Sequence, residues 1–434
     1  MSDTEDTVLK TSAEKQQSAP GDHVATENAS AIKPPHNLDS KFGWLVVFGS
    51  FFSLMLSIGN SATYGVYLQE YKLVEFPNAS SSFLSWIGTL QLVMMSFFGI
   101  GVGVLCEHVD TRILSAFGAI VSGLALIIAS FCNSPWKLLL TQGILFGFGA
   151  SFLYVTGLTL PPQWFAKYRA FATSIAIAGS GIGGLWLSFA THAMITNISW
   201  KWALRITGLI IIGVCGPISL LMKTRVKPAK RKKIMDISVL RDKRFLVLFG
   251  ALPGASSFYI SFFFMPSYSV IVLGKSDQWG SNIASIMNGA SIAGRVLMGL
   301  VGDRIGALNT LCITTLLSFL SILILWLPFK TAGTLVAAAV IFGFFSGAIV
   351  SLIPVVTANL FGAKRLPSVM GLLMIGYVVG NLISSPPAGH MLDTYGHGTD
   401  FSILIIYAGV LLAVSFVLEL ALRVILSRTL LKKL

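Results

Sequence analysis

Charge is the scarcest property of this chain. Only 11% of its 434 residues are Asp, Glu, Lys or Arg, whereas soluble globular domains carry about 25%, and 54% are hydrophobic. A chain this poor in charge cannot cover an ordinary soluble surface. The charged residues leave twelve apolar blocks between residues 42 and 418, each long enough for a membrane-spanning helix. The composition therefore predicts an all-α integral membrane protein with twelve spans.

Other absences exclude whole classes of function. The four cysteines have no metal-ligand spacing, and we find no His/Cys cluster, nucleophile elbow or phosphate loop. We therefore expect neither an enzyme nor a cofactor or metal site. The net charge of +13 has no folded basic domain to carry it, which argues against a nucleic-acid partner. Residues 1–41 lack the apolar core of a cleaved signal peptide and are polar enough to predict a disordered tail.

The basic residues that are present lie mostly on one side of the predicted membrane. With the N-terminus in the cytosol, 24 of the 31 Lys and Arg residues fall in cytosolic tails and loops, and six fall on the other side. This asymmetry predicts that both termini are cytosolic. The remaining basic residue, Arg295, is the one formal charge inside an apolar block.

The chain repeats itself at a constant offset of 196 residues. The equivalent pairs are Gly103/Gly299, Glu107/Asp303, His108/Arg304, Gly147/Gly343, Phe165/Phe361, Arg169/Arg365 and Gly184/Gly380. Each copy contains six spans, which predicts two pseudo-symmetric six-helix halves around a central site, the architecture of a rocking transporter. We assign a cytosolic tail to 1–41, the first half to 42–222, a basic linker to 223–244, the second half to 245–426 and a second tail to 427–434.

A loop motif closes the eighth span and turns into the ninth. The stretch Gly299-Leu-Val-Gly-Asp303-Arg304-Ile-Gly306 resembles the loop motif of the major facilitator superfamily, and residues 103–112 form a degenerate copy with Glu107 in the acidic position. Glycine allows close helix approach, and the charged residues can bind neighbouring helix ends. We expect conformational gating by Gly299, Asp303, Arg304, Glu107, Lys167 and Arg169.

Three further stretches narrow the resemblance. Asp39 precedes Gly43-Trp44 at the first span, Trp164-Phe-Ala-Lys-Tyr-Arg169 leads into Ala178-Gly-Ser-Gly at the fifth, and Pro386-Pro-Ala-Gly389 ends the eleventh. Together they are similar to the monocarboxylate transporter family and its fungal relatives. The resemblance implies transport of a carboxylate, often with a proton. The position of the family's first-span lysine is Ala62 here, and the position of its eighth-span aspartate is Ser291, whereas its arginine is retained as Arg295.

Polar faces of the spans supply the candidate binding residues. An arginine in hydrocarbon costs about 2.5–3.5 kcal/mol on insertion scales and usually faces a water-filled cavity, so Arg295 is the first candidate. Residues three or four apart share a helix face, which groups Asn288 and Ser291 with Arg295. The predicted substrate-binding set is Arg295, Asn288, Ser291, Asn60, Tyr64, Tyr154, Tyr259, Tyr377 and Asn381. Hydrogen bonding between buried helices, or to helix carbonyls in the case of Arg295, is the alternative role.

The expected function is secondary transport of a small organic solute across the plasma membrane by alternating access. A monocarboxylate or another organic anion is the first candidate substrate, and riboflavin or a secondary metabolite is the alternative. A membrane sensor that has lost transport is the rival class. The expected partners are the solute, the lipid bilayer and protons as a candidate coupling ion. Glu419 and Arg423, one turn apart in the twelfth span, are expected to form a local ion pair.

Overall fold

The computed structural model describes residues 39–79, 81–225 and 237–427. The predicted polar tail lies outside this part except for its last three residues. The middle of the basic linker and all but the first residue of the predicted C-terminal tail also lie outside it.

Twelve helices among the described residues are long and apolar enough to cross a bilayer. Before the linker they are α1 Lys41–Glu70, α2 Phe83–Leu105, α3 Thr111–Ala129, α4 Pro135–Trp164, α5 Arg169–Asn197 and α6 Trp200–Leu221. After it they are α7 Lys243–Ile271, α8 Gln278–Ile305, α9 Ala307–Trp326, α10 Ala332–Phe361, α11 Leu366–Leu392 and α12 Ser402–Leu426. The described part of the chain contains no strand. The predicted all-α fold with twelve spans is confirmed.

Several spans depart from regular α-helix. α1 is interrupted at Thr63, and α7 is interrupted between Ala255 and Phe258. α1 continues into a π-helical turn, Tyr71–Glu75, and α4 contains a π segment, Leu139–Leu145. The Tyr71 hydroxyl donates to Gln142 Oε1 at 2.9 Å and joins these two segments. Such π turns occur often at functional sites, because they redirect side chains within a helix.

Because successive spans run in opposite directions, α1 begins and α12 ends at the same end of the helix bundle. We call this the terminal end, and the other the opposite end. At the terminal end the two halves touch through glycine: a Cβ on Gly103 of α2 would lie 2.8 Å from the Gly371 Cα of α11. A Cβ on Gly299 of α8 would lie 2.6 Å from the Ser174 hydroxyl of α5.

Equivalent positions of the repeat make equivalent contacts. A Cβ on Gly147 would lie 2.9 Å from the Gln91 carbonyl oxygen, where α4 crosses α2. A Cβ on Gly343 would lie 2.5 Å from the Met287 carbonyl oxygen, where α10 crosses α8. Gly343 and Met287 each follow their counterparts, Gly147 and Gln91, by 196 residues. Equivalent glycines therefore allow an equivalent close crossing in each half. Small residues of this kind are the usual basis of helix association in membranes.

Candidate functional site

Arg295 lies where α8 of the second half meets α5 of the first. Its side chain is 8% exposed, and Nη1 donates to the Ile177 carbonyl at 2.9 Å and to the Ser180 hydroxyl at 2.6 Å. Ser180 belongs to the Ala-Gly-Ser-Gly stretch that the sequence singled out. Arg295 Nε is buried and has no hydrogen-bond partner among the described residues. Protein carbonyls therefore satisfy the guanidinium only in part.

Three tyrosines from three other spans lie near one another, and one of them, Tyr259, lies near Arg295. The Tyr154 phenol of α4 lies within electrostatic range of the Tyr377 phenol of α11 and the Tyr259 phenol of α7. Tyr259 is in turn within electrostatic range of Arg295. Tyr154 and Tyr377 are 6% and 8% exposed, and the Phe258 ring centroid lies 4.1 Å from that of Tyr259. The structure thus brings four predicted residues, from both halves, into one aromatic cluster with a single cation.

The predicted shared face of α8 is divided by its two neighbouring helices. Ser291 faces α10, because a Cβ on Gly347 would lie 2.7 Å from the Ser291 carbonyl oxygen. Arg295 faces α5 instead, as do Ile292 and Gly299. At 100° of rotation per residue, Ser291 and Arg295 are only about 40° apart around the helix axis, so they share a face but contact different helices. Asn288 donates to the Ala284 carbonyl of its own helix at 2.9 Å. The three residues share a face of α8, but among the described residues no hydrogen bond joins any two of them, and their role as one binding set stays a prediction.

Three further predicted residues lie in other surroundings. The Tyr64 hydroxyl donates to the Leu84 carbonyl at 2.6 Å, within the first half. Asn60 is buried in α1, beside Gly59, whose position lies against Gly183 of α5. Asn381 lies one turn beyond Tyr377, and its Oδ1 is buried without a partner among the described residues. Of these three, Asn381 is the one that lies nearest in the chain to the aromatic cluster.

The predicted gating residues meet at the terminal end. The Asp303 carboxylate of α8 accepts from the Ala170 and Phe171 backbone N–H groups at 2.8 and 2.9 Å, at the start of α5. A carboxylate at this place satisfies unpaired helix donors and interacts favourably with the helix dipole. Arg169 Nη1 donates to Asn359 Oδ1 of α10 at 2.7 Å. We call the contact of Asp303 with α5 the Asp303 clamp. It joins the two halves.

The other predicted gating residues contribute less to this contact. Lys167 and Arg304 are exposed, and the Lys167 backbone N–H donates to Asp39 Oδ2 at 3.3 Å. The Glu107 side chain makes no hydrogen bond with any described residue, and His108 Nδ1 lies 3.1 Å from the Val104 carbonyl of its own turn. Sequence reasoning missed Asn359, because an amide at the end of a long apolar helix carries no pattern of its own.

The prediction of an ion pair between Glu419 and Arg423 in α12 is wrong. Glu419 Oε1 accepts from the Ser415 hydroxyl at 3.2 Å, whereas Arg423 donates to Asn309 Oδ1 and, at 2.8 Å, to the Ser427 carbonyl. Spacing of one turn permits a pair, but Glu419 instead bonds to a hydroxyl of its own helix, and Arg423 bonds to Asn309 of α9 and to the carbonyl that follows α12.

Twelve apolar spans, a shared glycine framework and a charged side chain between the two halves define a polytopic membrane transporter. The sequence profile of the Major Facilitator Superfamily matches residues 46–294 and 278–432. The chain belongs to this superfamily, and it is a transporter, not an enzyme.

Known proteins of similar sequence are fungal transporters. The agnestins efflux protein of Paecilomyces divaricatus is 29% identical over 89% of this chain and 92% of its own length. The MFS-type transporter pynF of Aspergillus niger is 30% identical over 81% of each chain, and the aspyridones efflux protein of Emericella nidulans is 28% identical over 86% of this chain and 78% of its own. A solved structure of the E. coli fucose:proton symporter FucP has the same fold, with a TM-score of 0.69 at 13% identity over 88% of this chain and 98% of FucP.

Proposed function

We propose that this transporter moves an organic anion with a flat, conjugated skeleton, of the kind found among secondary metabolites. The observation that carries the proposal is the grouping of Tyr154, Tyr259 and Tyr377, with Arg295 near Tyr259, between the two halves. A guanidinium binds a carboxylate or enolate through two parallel hydrogen bonds. Tyrosine rings offer offset or edge-on contact to a conjugated body, and their hydroxyls can bind its oxygens. The efflux proteins named above support this class of substrate.

Arg295 offers a way to couple binding to the rocking of the halves. Its Nη1 is held by Ile177 and Ser180 of α5, across the boundary between the halves. An anion bound at the tyrosines would compete for the same guanidinium and weaken that link. Substrate would then favour the state in which α5 and α8 separate, because a ligand shifts an equilibrium only through its different affinity for the two states.

The terminal end is proposed to face the cytosol, and the membrane to be the plasma membrane. The support is the distribution of basic residues, 24 against six, around the twelve spans. Contacts between the halves at the terminal end then correspond to a state closed toward the cytosol. A tag at residue 2 or 434 should be protected from an impermeant protease in intact cells. Its removal would reverse the orientation.

A small monocarboxylate is the second candidate substrate. The fifth-span stretch and Arg295 match the monocarboxylate transporter pattern, whereas Ala62 and Ser291 stand where that pattern has its lysine and aspartate. Without these two groups, a proton-coupled mechanism of the usual kind lacks its charged partners. Lactate and pyruvate also have no conjugated ring for the tyrosine rings to contact.

The deciding experiment measures flux in proteoliposomes with a matched set of solutes: a conjugated aromatic acid, its methyl ester, and pyruvate. We expect transport of the aromatic acid alone. Arg295→Gln should abolish it and Arg295→Lys should restore it in part, since a point charge cannot reproduce the two-pronged contact. Tyr259→Phe, which keeps the ring, should retain more flux than Tyr259→Ala. Equal flux of acid and ester, or normal flux in Arg295→Gln, would contradict the proposal.

A further inference from the structure

A half-open crevice of about 620 Å³ lies between the halves at the terminal end. This volume is within the range of roughly 300–1,000 Å³ that is typical of small-molecule sites. Its lining comes from the loop between α4 and α5, from the start of α7, from the turn between α8 and α9, and from the ends of α10 and α12. Both halves therefore contribute to it, well away from the aromatic cluster.

The charged lining of the crevice is mainly basic. Lys167, Arg169 and Arg244 line it, with Asp303 as the one acidic residue. Both Asp303 oxygens already accept from the start of α5. Lys167 Nζ has no acceptor among the described residues and lies 5.1 Å from the Tyr168 ring centroid. The crevice thus offers cationic donors from both halves, with little opposing charge directed into it.

Arg244 is held at the edge of the crevice by one carboxylate. Its Nη2 donates to Asp242 Oδ2 at 2.7 Å, and its Nε lies 3.1 Å from both Asp242 oxygens. This contact holds the pKa of the Asp242 carboxyl below its usual range. The Arg244 side chain is still 43% exposed, and Nη1 has no partner among the described residues, so a second anion can reach it.

The walls of the crevice are apolar, and its position is that of a membrane interface. Val355, Val356 and Leu360 of α10 form one wall. Arg244 is the second residue of α7 and Leu426 is the last of α12, so the basic groups lie level with the helix ends. An occupant that matches both features has an anionic head and an apolar body.

The neighbouring chain segments have the wrong charge to fill the crevice. The sequence just before α7 contains Lys230-Arg231-Lys232-Lys233, and the sequence after α12 contains Arg428, Lys432 and Lys433. These segments would be repelled by three cations, and they increase the attraction of the whole face for anions. Their charge therefore argues against these two segments as occupants of the crevice.

We propose that the crevice binds the phosphate-bearing headgroup of an anionic phospholipid. The headgroup would contact Lys167 and Arg169 of the first half together with Arg244 of the second. A ligand that joins groups from both halves at the terminal end stabilises the conformation in which that end is closed. The lipid would act beside the Asp303 clamp and independently of the transported solute.

The test uses the full-length protein in nanodiscs of phosphatidylcholine alone or of phosphatidylcholine with phosphatidylinositol, with thermal unfolding and bound lipid as readouts. We expect phosphatidylinositol to raise the unfolding temperature and to remain bound. Each cation lost, in Arg244→Gln or Lys167→Gln, should weaken retention about fivefold. Lys275→Gln, an exposed lysine at the opposite end, is the matched control and should behave as the wild type.

Two further arms make the assignment specific. Asp242→Asn keeps an oxygen to cap α7 but frees the Arg244 charge, so lipid retention should rise. Inorganic phosphate or inositol phosphate added in phosphatidylcholine nanodiscs should give no comparable stabilisation. Equal retention in Arg244→Gln and Lys275→Gln would overturn the proposal. Full stabilisation by inositol phosphate alone would replace the lipid with a soluble phosphate ester as the ligand.

Discussion

The two copies of the loop motif make different contacts at the terminal end. In the second copy, α8 continues as helix to Ile305 and α9 starts at Ala307, so Asp303 projects from a rigid helix onto α5. In the first copy, α2 ends at Leu105 and α3 starts at Thr111, so Glu107 lies in a turn, and its carboxylate makes no hydrogen bond to any described residue. Equivalent sequence positions thus produce one electrostatic clamp and one contact that rests on glycine packing.

Two local differences explain this asymmetry. Gly306 turns the chain in a single residue with φ of 104°, a conformation open to glycine, whereas its equivalent Asp110 has φ of −59° and caps α3. The helices that face the two acidic residues, α5 and α11, differ as well. The donors to Asp303 are Ala170 and Phe171, and their equivalents are Leu366 and Pro367. Proline has no N–H, so α11 cannot present the same pair of donors to Glu107.

The largest effect is expected for Asp303→Ala. Loss of two charge-assisted hydrogen bonds should weaken the closed terminal end by about 2 kcal/mol, or ~30-fold in its opening equilibrium. The measurement is the labelling rate of a Val356→Cys reporter, a position that is 1% exposed, with an impermeant thiol reagent. The matched control is Glu107→Ala in the same background. Similar acceleration in both variants would mean that the two copies do not differ.

Gly306→Ala should have the next largest effect. A side chain at positive φ costs of order 1–3 kcal/mol, and relaxation of the turn would move Asp303 away from α5. The opening equilibrium of the terminal end should then rise about 10-fold, as measured by reporter labelling. Gly274→Ala, also at a positive φ of 60° but at the opposite end, controls for general strain. Unchanged reporter labelling in Gly306→Ala would show that the one-residue turn does not position the carboxylate.

A smaller effect is expected from Phe171→Pro compared with Phe171→Ala. Both variants remove the ring that contacts Trp44, but only proline removes the N–H that Asp303 Oδ2 accepts. The difference between them should be about 1 kcal/mol, or ~fivefold in reporter labelling. If the two substitutions opened the terminal end equally, the backbone donor would have no part in the clamp.

Glu107→Gln should have the smallest effect. It should change the reporter labelling rate by less than about twofold, because a carboxylate without a close partner contributes little to stability. The comparison can then be sharpened with the pair Glu107→Asp and Pro367→Ala, which restores both the short carboxylate and the missing donor. The combined variant should slow labelling of a Met374→Cys reporter at the α2–α11 contact, where Met374 is fully buried. Faster labelling there would show that the first copy cannot be converted into a clamp.

The amino-acid sequence by itself determined the class, the twelve spans and the residues that carry charge into them. Hydrocarbon requires every backbone group of a span to bond within its own helix, so length and apolarity of contiguous blocks are sufficient to locate the spans. The repeat and the resemblance of the loop to a known motif likewise singled out Asp303 and Arg169 as candidates.

Only the tertiary structure decided which polar residues meet. The rotation of each helix about its axis depends on contacts such as Gly347 with Ser291, which place Ser291 against α10 while the Arg295 guanidinium reaches α5. Tyr154, Tyr259 and Tyr377 come from three separate spans, so no local period could group them. The same holds for Asp303 and Glu107, whose different contacts depend on the first residues of helices that are distant in the sequence, 133 positions away in the case of Asp303 and Ala170.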